Sequence, residues 1–276
     1  MTSLLLRRLL ALRPVLVVAA LLLPGLASVP CRADITVSPT VVLFDNAGGT
    51  QAITVKNTGA KEQVYRVSLV NFRMAPDGRM TRVTMPAEDE HFATGMVRFS
   101  PRELVLAPGG SEVVRLQVVN PRPGEYRTHV IVQQVPDVDA LRAPPFTPAN
   151  GIAMDVRAVF GVAVPLLIRE GEPRAQVHLG EAHLAAMPDG APAVSLRVER
   201  TGERSVRGAL SLRRNGKEIA SIGGVSIYAP TPYRDVLVPV DAKEIATLSQ
   251  GRLEASFEEP EEVHDAVAAT AAITLH

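Results

Sequence analysis

Residues Asp34–Gly59 read DITVSPTVVLFDNAGGTQAITVKNTG, and their apolar side chains recur with period two. Ile35, Val37, Val41 and Leu43 alternate with Thr36, Ser38, Thr40 and Val42. Successive side chains of a strand leave opposite faces, so this alternation predicts a half-buried strand rather than a helix. Asn46-Ala47-Gly48-Gly49 supplies turn chemistry, because glycine tolerates positive φ. Ile53 and Val55 mark the returning strand, and Asn57-Thr58-Gly59 ends it.

The same texture runs outward from this stretch. Val64 to Phe72 predicts a longer strand with Tyr65, Val67 and Leu69 on one face, closed by Pro76-Asp77-Gly78. Met80 to Thr84 predicts a short strand, and Glu88-Asp89-Glu90-His91 a solvated polar loop. Val97 and Phe99, then Leu104 and Leu106, then Val114, Leu116 and Val118 mark three more strands, with Pro108-Gly109-Gly110 between the last two. Tyr126 to Val135 is a strand, Pro136 to Gly151 a proline-rich loop, and Ile152 to Ile168 the longest strand-like stretch. Arg169-Glu170-Gly171-Glu172-Pro173 reads as a joint between domains.

Strand texture then restarts, at Val177–Leu184, Val194–Val198, Val206–Leu212, Ile219–Tyr228, Val236–Val240, Leu253–Phe257 and Ala268–Leu275. Asn215-Gly216 is a hairpin signal. Asp241 to Leu248 is the best short helical candidate. Two successive sets of short strands predict an all-β chain of two β-sandwich domains, 34–170 and 171–276, with a single barrel as the alternative.

The first 33 residues have a different character. Arg7, Arg8 and Arg13 precede the apolar run Val15–Leu23, which Pro24-Gly25 ends; Cys31-Arg32-Ala33 sets small residues before Asp34. That is the layout of a secretory signal peptide cleaved after Ala33. A membrane anchor needs roughly 20 apolar residues, and lipidation of Cys31 needs flanking residues that Ser28-Val29-Pro30 does not supply. The whole chain has 276 residues, with 29 basic and 29 acidic side chains. Cleavage removes 33 residues, four arginines and no acid. The remaining 243 residues therefore carry 25 basic and 29 acidic groups, a net charge of −4, and no cysteine. Such a product is held together by packed cores without disulfides.

These numbers narrow the function classes. Lack of a basic excess argues against a general nucleic-acid binder. One cysteine builds neither an intrachain disulfide nor a thiolate zinc site. Phosphate loop, dinucleotide fingerprint, zinc-protease helix and Gly-x-Ser-x-Gly elbow are all missing from the sequence. His178 and His183 are five apart, which in a regular strand puts them on opposite faces. The acidic run Glu258–Asp265 lacks the ligand spacing of a Ca²⁺ loop. Nothing in these patterns points to a catalytic residue, metal, cofactor or small-molecule substrate, while scattered Ser, His and Asp side chains leave a dispersed site open and the acidic run 258–265 leaves a cation site open. The stretch from Ile152 is more informative, because Ile152, Met154, Val156, Ala158 and Phe160 share one face. They read either as an internal sandwich strand or as an exposed edge lent to another protein.

Three segments resemble the periplasmic chaperones of chaperone–usher pilus assembly. Ile35–Asp45 is similar to the family's first strand, which ends in Phe-Asp. Ser100–Gly109 followed by Val114-Arg115-Leu116 is similar to its central signature, with a Pro, a Leu, a Pro-Gly turn and a hydrophobic-Arg-hydrophobic strand in that order. Gly124-Glu125-Tyr126 through Val135-Pro136 looks like its next strand. The resemblance implies two immunoglobulin-like domains, no enzyme activity, pilin subunits and an outer-membrane usher as partners, and a periplasmic location. It also implies that Ile152, Met154, Val156, Ala158 and Phe160 form the strand donated to a subunit. Where the family's usual basic anchors for a subunit's terminal carboxylate would lie, this sequence offers Val41 and the stretch Val164–Leu166, with no basic residue, and the run 159–169 looks more like the family's nonclassical branch. Arg157 and Arg169 are the nearby basic alternatives. An exported structural or adhesive protein of immunoglobulin-like modules, or a hydrolase with a dispersed site, would share the broad texture.

Overall fold

The structure is a computed structural model that describes residues 34–46, 49–136, 159–245, 248 and 252–275. The proposed signal peptide, most of the loop after Pro136, and Ile152, Met154, Val156, Arg157 and Ala158 lie outside the described residues. The first half forms β1 (Ile35–Ser38), β2 (Val42–Asp45), β3 (Thr50–Asn57), β4 (Gln63–Val70), β5 (Phe72–Met74), β6 (Met80–Arg82), β7 (Val97–Ser100), β8 (Glu103–Leu106), β9 (Ser111–Val118), β10 (Gly124–Gln134) and β11 (Gly161–Glu170). The second half forms β12 (Ala175–Ala186), β13 (Pro192–Gly202), β14 (Val206–Arg214), β15 (Lys217–Ile227), β16 (Tyr233–Pro239), the short helix α1 (Ala242–Ile245), β17 (Leu253–Glu258) and β18 (Ala268–Ala272).

Two sandwiches result. In the first, a sheet ordered β1-β3-β9-β7 faces one ordered β2-β11-β10-β4-β8. In the second, β12-β13-β16 faces β15-β14-β17-β18. Both orders follow the immunoglobulin pattern: β1, β3, β9 and β7 lie opposite β4, β10 and β11 in the first sandwich, and the first, second and fifth strands of the second sandwich lie opposite its third, fourth, sixth and seventh. Each sandwich has its own aliphatic core. Ile53, Val55, Leu116, Val130 and Leu166 lie in one, and Leu196, Leu210, Ile227, Val238 and Phe257 in the other. The all-β expectation and the paired sandwiches are thus what the chain forms.

The opening stretch departs from its simple alternation for a geometric reason. The chain pairs with β3 through β1, passes Pro39, and then joins the facing sheet through β2, parallel to β11. Crossing to the facing sheet reverses which side of the strand looks at the core. Val42 and Phe44 are therefore buried, and Val41 and Leu43 look outward. The central signature has a local logic too. Leu104, Leu106, Val114 and Leu116 point inward, while Gly109 takes φ +73° in the connecting turn. That turn is clamped by the fully buried Asn57. Its backbone N–H donates to the Gly110 carbonyl at 2.9 Å, and its Nδ2 donates to the Leu106 carbonyl at 2.9 Å.

The second sandwich holds a parity change as well. Across β12 and β13, His178 pairs with Glu199 and His183 with Ser195, with a bulge between Leu179 and Ala182. The extra residue converts an odd spacing into an even one, so both histidines stand on one exposed face. They are about four residues apart along the strand, roughly 13 Å, too far for one ion. No group of three or more metal-ligating side chains occurs among the described residues. The Asn215-Gly216 hairpin turn forms as read, with both residues at positive φ.

Candidate functional site

The site comprises one strand edge and the polar junction beside it. Strand β11 lies against β10 along its whole length, from Gly161 opposite Gln133 to Glu170 opposite Gly124. On its other side β2 pairs only with Leu166–Arg169. Among the described residues, Gly161–Pro165 therefore presents an unpaired edge. The backbone of Gln134 donates to the Phe160 carbonyl at 3.0 Å. By antiparallel alternation, even-numbered residues of β11 bond to β10 and odd-numbered ones point outward. The opposite end agrees, since Asn46 N–H donates to the Arg169 carbonyl at 3.0 Å from the β2 side. Gly161 and Ala163 thus offer both backbone groups at the edge, and Pro165 offers only a carbonyl. Pro165 blunts the edge just where β2 takes over.

Side chains match this reading of the backbone. Val162 and Val164 pack toward the first core. Val159 and Phe160, which lead into the edge, are 43% and 39% exposed, two adjacent members of the short set of exposed large apolar residues. Phe160 is the one sequence-predicted donor within the described residues. Further along β11, beyond the edge, Leu167 lines a largely apolar cleft of about 340 Å³ together with Val41, Leu43, Val206, Tyr228 and Val263.

On strand β10, Glu125, Arg127 and His129 are buried on one face and Thr128 and Val130 on the other, which means that its outer face is covered as well as its inner one. The cover is the second sandwich. Glu125 accepts from Arg169 Nε at 2.9 Å, from the Ser205 N–H at 2.9 Å and from the Ser205 hydroxyl. Arg169 Nη2 donates to the Ser205 carbonyl at 2.9 Å. Arg169 lines the apolar cleft, with Nε and Nη2 already engaged. Nearby, Arg204 and Glu259 form a second buried pair at 2.9 Å.

Aromatic rings complete the junction. His129 stands edge-on to Phe72 at 5.1 Å and to Tyr228 at 5.8 Å. Burial, helped by the neighbouring Arg127 charge, lowers its pKa to about 3, so it is a neutral packing group. The Arg127 guanidinium lies 4.6 Å from the Tyr228 ring centroid and donates to the Phe72 carbonyl at 2.8 Å. The β5–β6 hairpin docks on the same side, where the Thr231 hydroxyl donates to the Met74 carbonyl at 3.0 Å and Asp235 N–H to the Pro76 carbonyl at 2.8 Å. Sequence reading did not pick out this junction. Its trace was the alternation Glu125-x-Arg127-x-His129 in a strand whose other face is apolar.

No protein-family model matches the chain, and no curated protein does so. Solved structures are similar over most of its length. They include the YadV chaperone, at 14% identity over 87% of this chain and 100% of that one, with a TM-score of 0.47. The CupB2 chaperone of Pseudomonas aeruginosa is 15% identical over 87% and 100% of the two chains, with a TM-score of 0.45. The CsuC–CsuE chaperone–tip adhesion subunit pre-assembly complex of Acinetobacter baumannii Csu pili gives 12% identity over 88% and 100%, with a TM-score of 0.47.

Proposed function

We propose that this chain is a periplasmic chaperone that binds pilin-like subunits by lending them a strand and hands them to an outer-membrane usher. In this reading residues 1–33 direct export and are removed, 34–170 and 171–276 are two domains, and no cofactor or catalysis is involved. The half-paired edge of β11 carries the proposal. A subunit lacking its last strand exposes an apolar groove and unpaired backbone groups, and such edges aggregate. A strand with one free edge and alternating apolar side chains meets both needs. Ile152, Met154, Val156, Ala158 and Phe160 are the proposed groove-filling residues, in the same parity as Val162 and Val164. Gly161 and Ala163 supply outward backbone groups. Arg157 and Arg169 are the basic side chains nearest the strand; Arg169 is already paired with Glu125, so Arg157 is the one proposed to meet a terminal carboxylate.

Co-expression with a pilin-like subunit encoded beside the gene tests this reading. The subunit should be soluble only with the chaperone present, and the two should co-purify. Val156→Asp should abolish co-purification while the free protein keeps its melting temperature. A subunit equally soluble alone, with no complex recovered, overturns the proposal. Unfolding of Val156→Asp would instead make this a core strand.

A further inference from the structure

A second cavity, of about 570 Å³, lies at the junction on the side of β10 away from the apolar cleft. Two arginines from different sandwiches line it, Arg127 of β10 and Arg200 of β13. Both residues are almost wholly buried, at 4% and 6% exposure. Four arginines are buried to this degree around the junction, and Arg169 and Arg204 each have a carboxylate partner. Arg127 and Arg200 have none among the described residues. Their described bonds go to neutral carbonyls, of Phe72 and Ala229 for Arg127, and of Thr231, Gly202 and Arg204 for Arg200. The Arg127 contact to Ala229 is long, at 3.5 Å, and its Nε is buried without a partner.

A guanidinium does not shed its proton in a protein, so a buried one needs a counter-charge. Burial holds both groups below the ordinary arginine value. The carboxylates whose charge acts on them are Glu125 and, for Arg127, Glu90, each already bound to another arginine. Asp89 and Glu203 also line the cavity; both are exposed, and neither is in ion-pair range of the two arginines. Guanidinium forks match the geometry of carboxylate and phosphate oxygens.

We propose that this cavity binds a small oxyanion, a carboxylate or a phosphate, held between Arg127 and Arg200. The bound anion joins the first sandwich to the second, so it stabilises the junction by binding only the folded arrangement. This inference stands apart from strand donation, because it concerns the free protein and a cavity beside β10, away from the β11 edge.

The test is a titration of residues 34–276 with sodium phosphate and, separately, sodium acetate, against sodium chloride at matched ionic strength. Melting temperature and calorimetric heat are read together. One or both oxyanions should bind saturably and raise the melting temperature by about 5–10 °C at a hundredfold excess over Kd. Arg200→Met should remove the saturable response. If that variant fails to fold, Asp89→Asn/Glu203→Gln decides instead. Removing two rim carboxylates should tighten oxyanion binding about threefold or more. A response no larger than that to chloride, or a response unchanged by both variants, overturns the proposal.

Discussion

Replacing His129 by Phe isolates the electrostatic cost of the junction. The imidazole is wedged edge-on between Phe72 and Tyr228, and its Nδ1 has no hydrogen-bond partner. Its pKa falls from 6.5 to about 3 because burial, and then the Arg127 charge, disfavour the cation. The unfolded chain therefore binds a proton as pH drops through 6.5, and the folded chain does not until about 3. Stability is fully present above the unfolded value and is lost downward across that window, at about 1.4 kcal/mol per pH unit. Between pH 7 and pH 5 the loss comes to about 2 kcal/mol. For a chain of this size that is a fall of about 4–8 °C in melting temperature. A phenyl ring fits the same edge-on slot and does not titrate. His129→Phe should melt within about 3 °C of the parent at pH 7, since volume is conserved, and should lose most of the fall at pH 5. Scanning calorimetry of both proteins at the two pH values measures it. An equal fall in the variant would refute the assignment of a buried neutral imidazole.

Other perturbations probe the same frame. Glu125→Leu leaves Arg169 and the Ser205 N–H and hydroxyl without their shared acceptor. It should cost about 3–5 kcal/mol, seen as a shifted urea midpoint, and Arg169→Met added to it should recover part of that loss. Gly208→Ala puts a methyl group on the Glu258 carbonyl and the Phe257 ring. Neither can yield easily, so a loss of about 1–3 kcal/mol is expected by the same assay.

Much of the architecture was legible because strands declare themselves by parity. Tyr65 and Val67, Leu104 and Leu106, and Val114 and Leu116 are buried as their alternation implies. Parity failed where something outside the strand reset it. The sheet switch at Pro39 exchanged Val41 and Leu43 for Val42 and Phe44, and the bulge before Ala182 moved His178 and His183 to one face. Charge was the weaker guide. Glu90, read as part of a solvated loop, is buried against Arg73, which lowers its pKa chiefly by hydrogen bonding. Glu259, read as part of an acidic run, is buried against Arg204. Their partners lie 17 and 55 residues away, beyond any local pattern. The two readings of the apolar stretch from Ile152 turn on residues outside the described ones. Among those described, β2 pairs with β11 only at Leu166–Arg169, and the length of that pairing is a property that no single strand encodes.

Backbone hydrogen exchange along β11 tests strand lending most directly. In the free protein the amides of Val162 and Val164 bond to β10 and should exchange slowly, while those of Gly161 and Ala163 face the open edge and should exchange fast. Adding the pilin-like subunit should slow exchange at Gly161 and Ala163 by at least about tenfold, with little change at Val162 and Val164. A complex in which Gly161 and Ala163 still exchange at their free rates would contradict the account.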